Sequence, residues 1–146
     1  VYLPLSRLKP AEAEAAVEVC YGSGRVLVVD DEEIMRLTAR ELLQYLGYDV
    51  ILAGNGKEAV GIFEKENKNI DIVLLDMVMP VMNGRECFYK LRKINPSVKV
   101  IVSSGFVLDE DINELKIAGL KGFIRKPFQT AELSRVVADV MSSGNM

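Results

Sequence analysis

Histidine is absent from this chain of 146 residues. That excludes His-dependent catalytic triads, imidazole metal sites and any phosphohistidine formed within the chain. Cysteine is scarce, with Cys20 and Cys87 the only two. One pair makes no disulfide framework, and both read as reduced thiols of a cytoplasmic protein. No apolar run is long enough to cross a bilayer. No long basic run appears and the net charge is −3, which argues against a phosphate-neutralising nucleic-acid surface. Low-complexity tracts and internal repeats are also missing. The length suits one domain with a proper core, and a hydrophobic fraction of 49% argues against disorder.

The most informative stretch runs from Ile70 to Gly84. An almost unbroken apolar run, Ile70-Asp71-Ile72-Val73-Leu74-Leu75, ends at Asp76 and gives way to a loop with Pro80 and Asn83-Gly84. Such a run reads as a parallel strand buried on both faces. Asp76 then stands at the carboxyl end of a central strand, where open α/β sheets bind ligands. Taken alone it reads equally well as a simple strand or turn cap. Two other segments change the balance. Val26-Leu27-Val28-Val29 runs into Asp30-Asp31-Glu32-Glu33, and Phe123-Ile124-Arg125 runs into Lys126-Pro127-Phe128. An acid pair, a single acid and a lysine, each at a strand end, converge in a parallel sheet.

Hydrophobic periodicity predicts alternating strands and helices from Arg25 onward. Strands are expected at Arg25 to Val29, Asp49 to Ala53, Ile70 to Leu75, Val98 to Ser103 and Phe123 to Arg125. The first helix carries Ile34, Leu37, Ala39, Leu42, Leu43 and Leu46 at helical spacing and stops at Gly47. Glu32 and Glu33 fall in its first turn, where acids suit the helix dipole. Asn55 is expected to cap the second helix. A third runs from Arg85 to Ile94 before Asn95-Pro96, and a fourth from Asp109 to Ala118 before Gly119. Thr130 is expected to cap a fifth with Leu133, Val136, Val137, Val140 and Met141 on its buried face. Alternation of this kind implies right-handed crossovers and a parallel sheet. Residues 1–24 stand outside the pattern. Pro10 to Val19 could form a helical turn or two, and Gly22-Ser23-Gly24 reads as a flexible joint.

The chain resembles the response-regulator receiver domains of two-component signalling. The resemblance rests on Val28-Val29-Asp30-Asp31-Glu32, Leu74 to Gly84, Ser103-Ser104-Gly105 and Lys126-Pro127-Phe128, in order and spacing, and it covers about Arg25 to Ser142. It implies a flavodoxin-like three-layer α/β/α fold with a five-stranded parallel sheet in the order 2-1-3-4-5. It implies a receiver over 25–146 after a leader or linker over 1–24. Tyr2-Leu3-Pro4 also resembles the last strand of a histidine-kinase ATP-binding domain. That suggests the C-terminal receiver of a hybrid histidine kinase, whose parent protein could be membrane-anchored.

The resemblance further implies the site. Asp76 is the phosphoacceptor, and Mg²⁺ is held by Asp31, Asp76 and the backbone carbonyl of Val78, with Asp30 acting through water. Repelling carboxylates at one sheet edge are relieved by a hard divalent cation, so the chemistry agrees. Lys126 neutralises the transferred phosphoryl group, and Pro127 sits in a cis peptide that aims it. Ser104 bonds a phosphoryl oxygen, with Ser103 a minor alternative, and Ser104 and Phe123 form the switch. The fourth helix, fifth strand and fifth helix are the readout surface, which could also pair in a homodimer. The expected partner is a histidine kinase or a histidine phosphotransfer domain, and Arg85 with Met79 to Asn83 would help place it. The domain would catalyse its own phosphorylation and slow dephosphorylation without turnover of a small substrate. Val78 is apolar and cannot hold the hydrolytic water, which favours a long-lived phosphoryl group. A Mg²⁺-dependent phosphohydrolase is disfavoured because it commonly needs an acid where Val78 stands. A flavodoxin-like mononucleotide binder is disfavoured because Asp30 to Glu33 repel phosphate. A degenerate receiver acting as a protein-docking domain is the remaining alternative.

Overall fold

The computed structural model describes residues 19–79, 81–105 and 109–143. Tyr2-Leu3-Pro4, most of the Pro10 to Val19 segment and Pro80 lie outside the described residues. In chain order the elements are β1 (Arg25–Val29), α1 (Glu33–Leu46), β2 (Asp49–Ala53), α2 (Gly56–Glu66), a 3-10 turn (Asn67–Asn69) and β3 (Ile72–Asp76). Then follow α3 (Gly84–Ile94), β4 (Val100–Ser104), α4 (Asp109–Ile117), β5 (Gly122–Arg125) and α5 (Thr130–Ser143). The five strands form one sheet in the order β2-β1-β3-β4-β5, and every pairing is parallel. This is the expected three-layer fold.

Burial explains the sheet. β3 and β4 are buried throughout, as is β1 after Arg25, so their apolar residues are used on both faces. The edge strands β2 and β5 are less buried. On one face Leu27, Val29, Val73, Leu75 and Val102 pack with Phe63 of α2, Phe88 and Leu91 of α3 and Leu115 of α4. On the other, Val28, Leu74, Ile101 and Ile124 pack with Leu43 and Leu46 of α1 and Leu133 and Val137 of α5. No helix among the described residues is long and apolar enough to cross a membrane.

Several local expectations shift. β3 begins at Ile72 rather than Ile70, because Asn67–Asn69 makes a 3-10 turn and Ile70 N–H is used on Asn67 O. The Asp71 carboxylate instead accepts from Arg25 N–H at 2.8 Å, tying the foot of β3 to β1. β4 begins at Val100 rather than Val98, whose N–H closes a turn onto Asn95 O. Thr130 is the first residue of α5, not its cap, and Leu133 N–H bonds Gln129 O. Ile34 is 77% exposed although the spacing grouped it with the core positions. It lies about two and a half turns before Leu43, which puts it on the opposite face of α1.

The Gly22-Ser23-Gly24 joint is tied to the domain. Gly22 N–H bonds Leu46 O at 2.9 Å, and Gly24 O accepts Asp49 N–H at 2.8 Å. Further back, Cys20 N–H bonds the buried Ser134 hydroxyl at 3.0 Å. This docking depends on Gly47, which ends α1 at φ 111°. A Cβ there would lie 2.1 Å from Gly22 O. Gly47→Ala is therefore expected to lower stability by about 2 kcal/mol, combining left-handed strain with displacement of the leader. Urea unfolding checks this, and an unchanged midpoint would show that the leader gives way freely.

Candidate functional site

In this strand order the chain leaves β1 toward β2 and leaves β3 toward β4. The crevice opens between the carboxyl ends of β1 and β3, where the topology reverses. Asp30 and Asp31 follow β1, Asp76 ends β3, Ser104 ends β4 and Lys126 follows β5. The sheet thus gathers residues that are up to 96 positions apart in the sequence into one edge.

The ammonium of Lys126 lies 2.6 Å from Asp30 Oδ2 and 3.3 Å from Asp76 Oδ1. Asp30 is 3% exposed, and its Oδ1 accepts Glu32 N–H at 2.9 Å, so both its oxygens are engaged. Asp76 is buried too, and its Oδ1 also accepts Val78 N–H at 3.3 Å. Its Oδ2 has no protein partner among the described residues. Asp31 is exposed, and its carboxylate makes no hydrogen bond or ion pair among the described residues. Each of the three aspartates offers an oxygen within 4.8 Å of the others'. The set consists of hard oxygen donors beside open space, which suits a divalent cation that keeps some of its waters.

An open cleft of about 510 Å³ is lined by Asp31, Glu32, Asp76, Val78, Ser104, Gly105 and Lys126. Asp30 stands behind this lining. Ser104 faces the cleft, whereas Ser103 pairs in register with Asp76 one residue below the rim. Val78 is 69% exposed at the cleft mouth. The Lys126–Pro127 peptide is cis. Phe123 is half-buried and packs on the cluster beneath α2, α3 and α4. Arg85 is turned to α4, where it pairs with Glu114, and Tyr89 bonds the same carboxylate. Gly84 holds α3 against the end of β3: its N–H bonds Met77 O at 3.0 Å, and an added Cβ would lie 2.5 Å from Asp76 O. Sequence reasoning had Glu32 and Gly105 within its motifs but assigned neither to the cleft lining. It missed Arg36 altogether, whose Nη1 bonds the Asp30 carbonyl at 2.7 Å.

The acid cluster sets its own electrostatics. Burial, reinforced by the charge of Asp30, pushes the Asp76 carboxyl up to about 6, although Lys126 and the Val78 N–H pull the other way. Burial alone would lower the Lys126 ammonium, but its bonds to Asp30 and the charge of Asp76 outweigh that and raise it.

The chain belongs to the response regulator receiver domain family, which it matches over residues 26–138. It is 44% identical to the chemotaxis protein CheY of Thermotoga maritima, over 77% of this chain and 91% of that protein. It is 36% identical to the sensor kinase CckA of Brucella abortus over 91% of this chain, but spans only 14% of that kinase's length. Among solved structures, a CheX–CheY–BeF₃–Mg²⁺ complex from Borrelia burgdorferi superposes with a TM-score of 0.79 at 30% identity, covering 82% of this chain and 90% of that one. The chain is therefore a phosphoacceptor module of two-component signalling. Receiver domains bind Mg²⁺ at an acidic pocket and work with histidine kinases or phosphotransfer proteins.

A carboxylate whose folded value stands near 6, against an ordinary value near 4, favours the fold when protonated and opposes it when ionised. Without metal, Asp76→Asn is expected to stabilise the domain by about 1–2 kcal/mol at pH 7.5. The gain should shrink as the pH falls through about 6 and vanish below about 4. Thermal unfolding in EDTA across that range checks both sign and window.

Proposed function

We propose that Asp76 accepts a phosphoryl group from a phosphohistidine, with Asp30, Asp31, Lys126 and Ser104 as its machinery. The observation that carries this is the buried Asp76 carboxylate, held through Oδ1 by Lys126 and Val78 N–H while Oδ2 is left to react. Oδ2 attacks phosphorus, a P–O bond forms, and the P–N bond to the donor imidazole breaks. The ammonium of Lys126 moves from carboxylate to phosphoryl oxygen with little displacement, since it already lies 3.3 Å from Asp76. The Ser104 hydroxyl donates to another phosphoryl oxygen from the cleft wall. Transfer of this kind needs positioning and charge neutralisation more than covalent help. Asp31, Asp76 and the Val78 carbonyl would hold Mg²⁺, with Asp30 acting through water because both its oxygens are taken. When bound, the ion supplies positive charge opposite the growing negative charge on the phosphoryl oxygens.

The response would pass through Ser104 and Phe123 to α4, β5 and α5. Half-buried Phe123 carries no hydroxyl, so a fully inward state strands no polar group. Phosphorylation shifts that population only through its differential contacts with Ser104 and Lys126. Similarity to a sensor kinase supports a place as the receiver of a hybrid histidine kinase, acting at the cytoplasmic side with a histidine kinase or phosphotransfer domain as donor. The readout face could also serve a homodimer.

Acetyl phosphate with Mg²⁺, followed by intact mass, tests the reading. One phosphoryl adduct is expected on the wild-type chain and none on Asp76→Asn or without metal. Absence of both adduct and Mg²⁺ binding would mark a degenerate receiver used for docking. A second expectation concerns lifetime. Exposed, apolar Val78 offers no hold for a hydrolytic water, so Val78→Asn should shorten the phosphorylated lifetime about tenfold, less than a fully positioned base achieves. Decay of the adduct by mass measures it, and an unchanged rate would place control of the water elsewhere.

A further inference from the structure

We infer that Arg36 is a positioning residue for the acid pair, aiming Asp31 at the cation site through the backbone rather than by touching ligand. The inference rests on the reading of the acidic cleft as a divalent-cation site. The turn from Asp30 to Arg36 is held at several points. Asp30 N–H bonds Ala53 O at 3.1 Å, which fixes the end of β1 to β2. The Asp30 carbonyl, which belongs to the peptide joining Asp30 to Asp31, accepts Arg36 Nη1–H at 2.7 Å. Arg36 N–H in turn bonds Glu32 O at 3.0 Å in the first turn of α1. One residue therefore grips the acid-bearing turn twice, by side chain before Asp31 and by main chain after it.

The two acids depend on this grip unequally. The Asp30 side chain has its own anchors in Lys126 and Glu32 N–H. The Asp31 side chain has none among the described residues, so what the fold fixes of its position is the backbone that carries it. Arg36 is well placed to hold that backbone. Its guanidinium packs at the β2–α2 turn, where Nη1 lies 3.4 Å from the position a Gly54 Cβ would take. A planar, permanently charged donor is better suited to such a fixed bond than a mobile amine.

Charge and position make opposite predictions. Arg36 is a cation near a proposed cation site, so if it acted by charge alone its removal would tighten Mg²⁺ binding. If it acts by position, its removal weakens binding. Mg²⁺ titration of the full chain, followed by backbone amide NMR shifts at Asp31 and Val78, separates the two. Arg36→Met is expected to lose about tenfold in Mg²⁺ affinity, as metal sites do when a group orienting a ligand is removed. Arg36→Lys, which keeps the charge and can still donate to the carbonyl, should recover part of the loss. Val137→Ala, a core truncation in α5, should lower the melting temperature without moving the affinity, which separates positioning from general destabilisation. If Arg36→Met does not fold, Arg36→Gln carries the test with the same expected loss. Equal or tighter binding by the variant, beside a wild-type chain that binds Mg²⁺, overturns the positioning role. No binding by the wild-type chain overturns the metal reading, and this inference with it.

Discussion

One ammonium stands between two buried carboxylates, and a third carboxylate waits at the rim. Lys126 lies within ion-pair distance of Asp30 and Asp76, while Asp31 remains exposed beside them. Buried like charges oppose the fold unless they are compensated. A single lysine compensates only part of three acids, so the edge stays electron-rich. That imbalance makes the site attractive to a hard cation and unattractive to a bare phosphate. A phosphoryl group is then welcome only together with the positive charge that the cleft can recruit. The rest of the molecule serves to hold these charges at this spacing.

The sheet does so through the parallel pairing of its buried central strands. β1 and β3 carry the acids side by side, and the register Val29↔Leu75 brings their ends level. α3 is pressed against the end of β3 at Gly84, where a side chain would collide with the backbone of Asp76 and Met77. Movement at Asp76 would therefore be felt at the start of α3. From there the Arg85–Glu114 pair reaches α4. Both side chains are well exposed, so this contact adds little stability of its own. It orients more than it holds.

What the sequence made legible was whatever a local pattern encodes. Apolar runs marked β1, β3 and β4, and Gly47 and Asn55 announced helix ends that the structure shows, whereas Asn83, read only as part of a turn, caps α3. Acids and a lysine at strand ends identified the cleft because topology, once assumed parallel, leaves them nowhere else to go. Less legible were features set by rotation about a helix or by contacts at long range. Ile34 is apolar yet points outward, since composition does not distinguish the two sides of α1 without the sheet. The Gly22-Ser23-Gly24 joint looked flexible because its partners, Leu46 and Asp49, lie more than twenty residues away. Arg36 drew no notice, because its backbone acceptor leaves no trace in residue types.

The three aspartates are chemically identical, so the proposed division of labour among them must come from environment. Asp30 is buried with both oxygens bonded, which leaves it unable to attack and suited to steadying Lys126. Asp31 is exposed and unanchored, which makes it free to take a ligand but poorly shielded as a nucleophile. Asp76 alone combines burial, one restrained oxygen and access to the cleft. Its carboxyl is pushed up to about 6 in the metal-free site, by burial first and by the charge of Asp30 second. That negative charge is what a bound cation would relieve, so the same crowding that raises the Asp76 carboxyl favours the ion proposed to work beside it.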